Sequence, residues 1–240
     1  MNNLSTHVIA VSNTVKDILV KQEHMPEDKV IVIPHGIPEK LFNQNISDDD
    51  IVAMKKKYQL ENRYPVIGVI SRFTEWKGVQ YIIPAFEKIL KDFPNAKLIL
   101  ANAAGDYENQ ITDLLRKIPQ HSYCLIQFES DVNTLYKTFD VFVHTPINKV
   151  SEAFGQVYIE ALSMGIPVIC TLSGIGNDLM IDEYNAMVVD YKNSQAIYNG
   201  INKIVSDNTL KVHLIKNGLI SVKKYTFEYK FEKLKELYLN

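Results

Sequence analysis

Arginine is scarce in this chain, with three residues against 23 lysines, so the place of each one is informative. Arg72 directly follows an apolar run in the segment SRFTEWKGVQ, with Lys77 five residues later and Gly78 opening what comes next. A guanidinium fork, an ammonium point charge and the free N–H groups of a helix start are the elements that bind a phosphate or diphosphate. The alternative is a surface loop in which Arg72 pairs with Glu75. A second constellation lies in SEAFGQVYIEALSMGIPVICT, where Glu152 and Glu160 are separated by seven residues with Gly155 between them. If a helix runs through Glu160, Glu152 sits in the loop at its start, roughly 12 Å back along the axis. Val157 and Met164 flank Glu160 one turn away on either side, which puts an acid on an otherwise apolar stripe. Such a carboxylate is suited to accepting hydrogen bonds from hydroxyls, for instance ribose O2 and O3. Gly155 removes a side chain where a ligand could approach the first helical turn. The alternative here is a capping arrangement, with Ser151 and Glu152 at the helix start and Glu160 in a local ion pair. The turn 173–176 (SGIG) adds another flexible stretch of backbone that could face a ligand. Together these features describe a nucleotide-diphosphate pocket, although the sequence contains neither GxxxxGK[ST] nor GxGxxG.

The elements that must position these residues are short and apolar. Runs at 8–11 (VIAV), 30–33 (VIVI), 66–70 (VIGVI), 97–101 (KLILA), 124–128 (CLIQF), 141–144 (VFVH), 167–170 (PVIC) and 186–189 (AMVV) are rich in β-branched residues and do not alternate. That is the pattern of strands buried on both faces. Between them lie amphipathic stretches at 79–93, 106–118, 131–139, 152–164 and 194–205; the first carries Ile82, Ile83, Phe86, Ile89 and Leu90 on one helical stripe. The alternation predicts an α/β, doubly wound parallel sheet of Rossmann-like type, with ligands bound outside the carboxyl ends of its strands. Residues 34–65 read as a polar connection plus one surface helix whose acidic run Asp48–Asp50 lies at its N-terminus. Ser12 is placed to cap a helix after the first strand, and 226–240 has the spacing of a docking helix.

Composition narrows the class. The 240 residues are 46% hydrophobic, enough for a sizeable core, and 26 basic against 28 acidic groups leave a net charge of −2. That balance gives no electrostatic reason to expect nucleic-acid binding. Cys124 and Cys170 lie far apart in apolar runs, with neither disulfide-framework nor zinc-ligand spacing. No apolar stretch approaches the roughly 18 residues of a membrane span, and MNNLSTHVIAVS lacks a basic-then-apolar leader pattern. A cytoplasmic protein is expected; Tyr225, Phe227, Tyr229 and Phe231 read as packing residues for the terminal helix, with peripheral contact at the inner face of the membrane as the alternative.

In this order and spacing the motifs resemble the C-terminal, donor-binding half of a GT-B glycosyltransferase of family 4, the retaining glycosyl-group-1 transferases. HVIAVSNTVKDIL resembles the end of that family's acceptor domain and VIVIPHGIPEKLF its linker. The segment 70–78 is similar to the Arg-x4-Lys-Gly loop, FESDVNTLYKTFDVFVHTP to the base-binding segment and following strand, and EAFGQVYIEALSMGIPVI to the Glu-x7-Glu motif. The resemblance implies three parts: 1–33 as the end of a mostly missing acceptor domain, 34–225 as a nucleotide-sugar donor-binding domain, and 226–240 as a helix crossing back. It implies that Arg72 and Lys77 bind the donor diphosphate and neutralise the leaving group, that Glu152 contacts the transferred sugar, and that Glu160 binds the ribose. Backbone N–H groups around Phe154, Gly155 and Gln156 would meet sugar and phosphate, and Val132 would lie against the base. Ser71 stands where the family usually has Gly, and His35 where Asn is more common; 102–105 (NAAG) replaces a tighter Gly-rich turn.

The activity so implied moves a hexosyl unit from a UDP- or GDP-sugar to a glycan or lipid-linked acceptor, with no metal or cofactor required and a missing N-terminal domain or partner chain completing the enzyme. No well-placed nucleophile suggests a double displacement. A GT-B sugar-nucleotide 2-epimerase and a non-catalytic nucleotide-sugar-binding module are the alternatives; a generic NAD-binding domain is disfavoured by the absent glycine fingerprint. His35 and His144 read as hydrogen-bonded structural residues, and Lys55–Lys57 as a solvated helix face.

Overall fold

The β-branched runs form eight short parallel strands. In the computed structural model, which describes residues 5–38 and 46–239, they divide between two sheets. Strands β1 (Val8–Ala10) and β2 (Val30–Val32) pair with each other and carry helix α1 (Asn13–Lys21) between them. Ser12 caps α1 as expected, its hydroxyl accepting from the Val15 N–H at 3.2 Å. Ala10, Met25 and Val30 form the small core of this unit. Residues 39–45 of the connection that follows lie outside the described residues.

After α2 (Asp48–Lys57), capped by Ser47 with Asp48, Asp49 and Asp50 in its first turn, the chain enters the main sheet. Its strands are β3 (Val66–Ile70), β4 (Lys97–Ala101), β5 (Tyr123–Ile126), β6 (Val141–His144), β7 (Val168–Cys170) and β8 (Met187–Val188). They lie in the order β5-β4-β3-β6-β7-β8, all parallel. Successive residues feed two separate cores: Ile99, Phe142, Val168 and Cys170 join one, while Leu98, Leu100, Val141, Val143 and Ile169 join the other. Both faces are therefore dry, which is why the runs show no polar alternation.

Helices α3 (Val79–Asp92), α4 (Glu108–Leu115), α5 (Val132–Tyr136), α6 (Gln156–Ser163) and α7 (Gly176–Leu179) fill the crossovers, and α8 (Ser194–Ser206) follows the last strand. Ile82, Ile83, Phe86 and Ile89 of α3 are wholly buried, as their stripe predicts. Helix α9 (Asn208–Ser221) has no counterpart among the amphipathic stretches of the sequence. It buries Leu214 but exposes Val212 and Ile220, so its apolar residues ring the helix and leave no stripe to read. The tail forms α10 (Phe227–Leu239), anchored where Ile37 pairs with Thr226 and the Phe227 N–H donates to Ile37 O at 3.1 Å.

The strand order fixes where chemistry belongs. From β3 the chain moves outward through β4 and β5, then returns to lay β6 on the other side of β3. The loops after β3 and β6 consequently part at this reversal, leaving a crevice at the carboxyl ends of the strands.

Candidate functional site

Both motif-bearing loops lie at that crevice. The loop after β3 carries Arg72 and Lys77 and is packed onto the end of β6. Ile147 N–H donates to Trp76 O at 3.0 Å, and Gly78, at φ 76°, lies so close to β6 that a Cβ there would be 1.9 Å from the Thr145 carbonyl oxygen. Only glycine permits both the left-handed backbone and the contact. Lys77 is thereby held over the loop after β6, where its Nζ meets Glu152 Oε1 at 2.5 Å. His144 Nε2 reaches the same oxygen at 2.9 Å from below. Glu152 is buried, and burial opposes its ionisation, but the hydrogen bonds from His144 and Lys77 and the Lys77 charge prevail, holding its carboxyl down at about 2. Burial, reinforced by the Lys77 charge, keeps the His144 imidazole below its ordinary range despite Glu152.

Arg72 is exposed, and its guanidinium has no hydrogen-bond or ion-pair partner among the described residues; the pairing with Glu75 is not formed. The main chain of Arg72 is fixed, its carbonyl accepting from the Thr74 N–H at 3.0 Å. A fixed loop with an unpaired guanidinium is a ready anion contact.

Helix α6 starts at Gly155 (φ 86°) with no side-chain cap, so neither Ser151 nor Glu152 forms the capping arrangement. A Cβ on Gly155 would stand 2.8 Å from the Tyr158 ring, so the sharp entry into α6 and the packing of Tyr158 require glycine. The N–H groups of Phe154 and Gly155 donate to nothing among the described residues. The Phe154 ring is buried, edge-on to His35 with centroids 5.1 Å apart, which ties the connection to this loop. The 173–176 turn acts as a brace: Glu152 N–H donates to Ser173 Oγ at 3.0 Å, and Ile175 N–H to Phe154 O at 2.7 Å. Helix α1 clamps the same loop, Ser12 Oγ donating to Ala153 O at 2.7 Å.

Glu160 is half-buried about one turn into α6. Its Oε1 accepts from Gln156 Nε2 at 2.8 Å and its Oε2 from the Tyr136 hydroxyl at 3.0 Å. Burial, with the Glu160 carboxylate beside it, raises the Tyr136 phenol well above its ordinary value, so it remains a donor. Tyr136 lies one turn after Val132 on α5, and Val132 lines a largely apolar cavity of about 220 Å³ with Ile70, Ala101, Asn102, Phe128, Glu129 and Leu135. The structure thus brings Lys77 and Glu152 into contact, sets Glu160 at a second station along α6, and places Val132 in a third beyond it. Three partners were not legible as such: His144, assigned only a structural part; Tyr136, hidden in an apolar helix; and Ser173, in a turn with no polar pattern.

These features meet the comparisons with known proteins. The family model for glycosyl transferases group 1 matches residues 50–219, and the chain belongs to that family. An uncharacterized glycosyltransferase of Methanocaldococcus jannaschii is 31% identical over 236 residues, covering 95% of this chain and 59% of the relative. The capsular polysaccharide biosynthesis glycosyltransferase CapM of Staphylococcus aureus is 27% identical over 237 residues, covering 98% of this chain and 61% of CapM. Among solved structures, Anabaena HepE in complex with UDP-glucose superposes with a TM-score of 0.89 at 23% identity, covering 99% of this chain and 64% of that one. That likeness confirms the fold, the Rossmann-like sheet of the GT-B glycosyltransferases. The chain spans about three fifths of the length of the curated relatives it matches. Among the described residues, no helix is long and apolar enough to cross a membrane.

Proposed function

We propose that this chain is the donor-binding part of a retaining, family-4-like hexosyltransferase that takes a UDP- or GDP-sugar and passes the sugar to a glycan or lipid-linked acceptor. The observation that carries the reading is the meeting of Lys77 and Glu152 at the crevice, beside an uncapped helix start and an unpaired Arg72. In this reading the base enters the cavity at Val132, the ribose hydroxyls reach Glu160, and the diphosphate lies between Arg72, Lys77 and the N–H groups of Phe154, Gly155 and Gln156. Glu152 faces the sugar. Transfer breaks the bond between the anomeric carbon and the diphosphate oxygen; the nucleoside diphosphate leaves with the electron pair, and the acceptor hydroxyl oxygen bonds to the carbon as its proton passes to the departing diphosphate oxygen. Negative charge grows on the leaving diphosphate, where two cations and a helix N-terminus lower the barrier with no metal called upon.

Calorimetry of UDP, GDP, ADP and NAD against the chain tests this, with Arg72→Ala and Glu160→Ala alongside. One nucleoside diphosphate should bind wild type and lose affinity in both variants. Binding that survives both substitutions would place the nucleotide elsewhere and end this reading.

A further inference from the structure

Lys77 and His144 compete for one atom, Glu152 Oε1, while Oε2 accepts nothing among the described residues. The His144 ring is 1% exposed, stacked on Phe142 at 6.5 Å and edge-on to Tyr158 at 4.9 Å. A carboxylate only accepts, so Nε2 carries the proton. Nδ1 is buried and has no partner among the described residues. A second proton there would bury a donor with nothing to bond, so the resting ring is the neutral Nε2–H form.

The two contacts on Oε1 differ in permanence. A diphosphate draws Lys77 away; His144, packed beneath the sheet end, cannot follow. Loss of Lys77 would leave a buried carboxylate unpaired unless a second donor stayed behind. We infer that His144 is a positioning residue that keeps Glu152 bound and oriented through Oε1 while Lys77 exchanges Glu152 for the donor diphosphate. The inference rests on the donor-site reading above. Lys77 is then parked on Glu152 in the resting protein, the unpaired Arg72 makes first contact with the anion, and Oε2 stays open toward the sugar.

The test uses the full 240-residue chain labelled with 15N at histidine, long-range 1H–15N spectra, and UDP, GDP and ADP titrated separately. The His144 signal is assigned by its loss in His144→Leu. It should report an Nε2–H ring with a bare Nδ1. The diphosphate that binds should shift it, and ligand-free Lys77→Met should already show the shifted position. By calorimetry, His144→Leu should weaken that diphosphate about tenfold, the worth of a charge-assisted hydrogen bond. His144→Gln, whose amide supplies a donor at the Nε2 position, should restore it to within about twofold. A diphosphate that binds wild type without moving the His144 signal overturns the inference and leaves the donor site standing, and so does undiminished affinity in His144→Leu. Failure of all three nucleotides to bind the folded wild-type chain overturns both. If the leucine variant does not fold, loss of the signal in His144→Gln supplies the assignment, and the wild-type and Lys77→Met spectra decide.

Discussion

Two buried carboxylates in this fold look alike by charge and differ in what they have left to give. Glu129, after β5, has a side chain only 4% exposed; its Oε2 takes the Lys57 ammonium at 2.7 Å and the Tyr58 hydroxyl, and its Oε1 takes the Asp131 N–H at 3.0 Å. Glu152 is 9% exposed by side chain, with both of its partners on Oε1. Burial opposes ionisation at each, and donors outweigh it at each, so both carboxyls sit at about 2. Yet Glu129 has spent both oxygens within the protein and pins the loop that leads into α5, while Glu152 keeps one oxygen uncommitted at the crevice. A carboxylate with both oxygens engaged has nothing left to offer a ligand; one with an open oxygen does, and the proposed donor site asks that of Glu152.

The sharpest way to break this contrast is to remove each lysine. Lys77→Met should lower nucleoside diphosphate affinity about 100-fold, since a charge-assisted phosphate contact contributes about 1.5–3 kcal/mol. Lys57→Met should leave affinity within about twofold, because its ammonium is bonded to Glu129 at the edge of the Val132 cavity and, in the proposed pose, meets no phosphate. Equal losses in a paired calorimetric titration would erase the distinction.

Stability should report the reverse. Glu129→Gln should cost about 2 kcal/mol at neutral pH by weakening three donors' contacts at once, or about 4–8 °C in melting temperature for a chain of this size. The sign with pH follows from the depressed carboxyl. An unfolded glutamate titrates near 4.3, so the stabilisation is complete above that value and is lost as pH falls toward about 2. The gap between variant and wild type should therefore narrow in melts run from pH 5 to pH 3 and close toward pH 2. A gap constant across that range would mean that packing, not charge, holds Glu129.

The same distinction explains how far the sequence could be read. Strands β3, β4 and β6 run over the same residues as their apolar runs at 66–70, 97–101 and 141–144, because burial on both faces leaves an uninterrupted signal. Arg72, Lys77, Glu152 and Glu160 stand out by type and spacing, and the structure gathers the lysine and first glutamate at one point. What spacing could not show is pairing across the fold. Glu129 and Lys57 are 72 residues apart, and Lys77 and Glu152 are 75 apart, so neither bond has a local signature. His144 reads as a strand-end histidine until the β6 loop folds Glu152 back over it. Gly155 was legible as a required glycine, but its reason is the Tyr158 ring and a left-handed turn.

The smallest expected effect is the most discriminating, because it runs against intuition. Glu152→Gln removes an anion from the candidate site while leaving an amide oxygen for His144 and Lys77. The bond from Lys77 to that neutral oxygen is weaker than to a carboxylate, so less is given up when Lys77 moves to a phosphate. Affinity for the bare nucleoside diphosphate should rise, by about fivefold for a difference of about 1 kcal/mol. The matching sugar nucleotide should gain less, because its sugar loses a carboxylate partner at Oε2. The ratio of the two affinities should fall in the variant. In Glu129→Gln, where no ligand competes for the lysine, that ratio should stay at its wild-type value. A rise in both affinities by the same factor would show that Glu152 only restrains Lys77 and takes no part in holding the sugar.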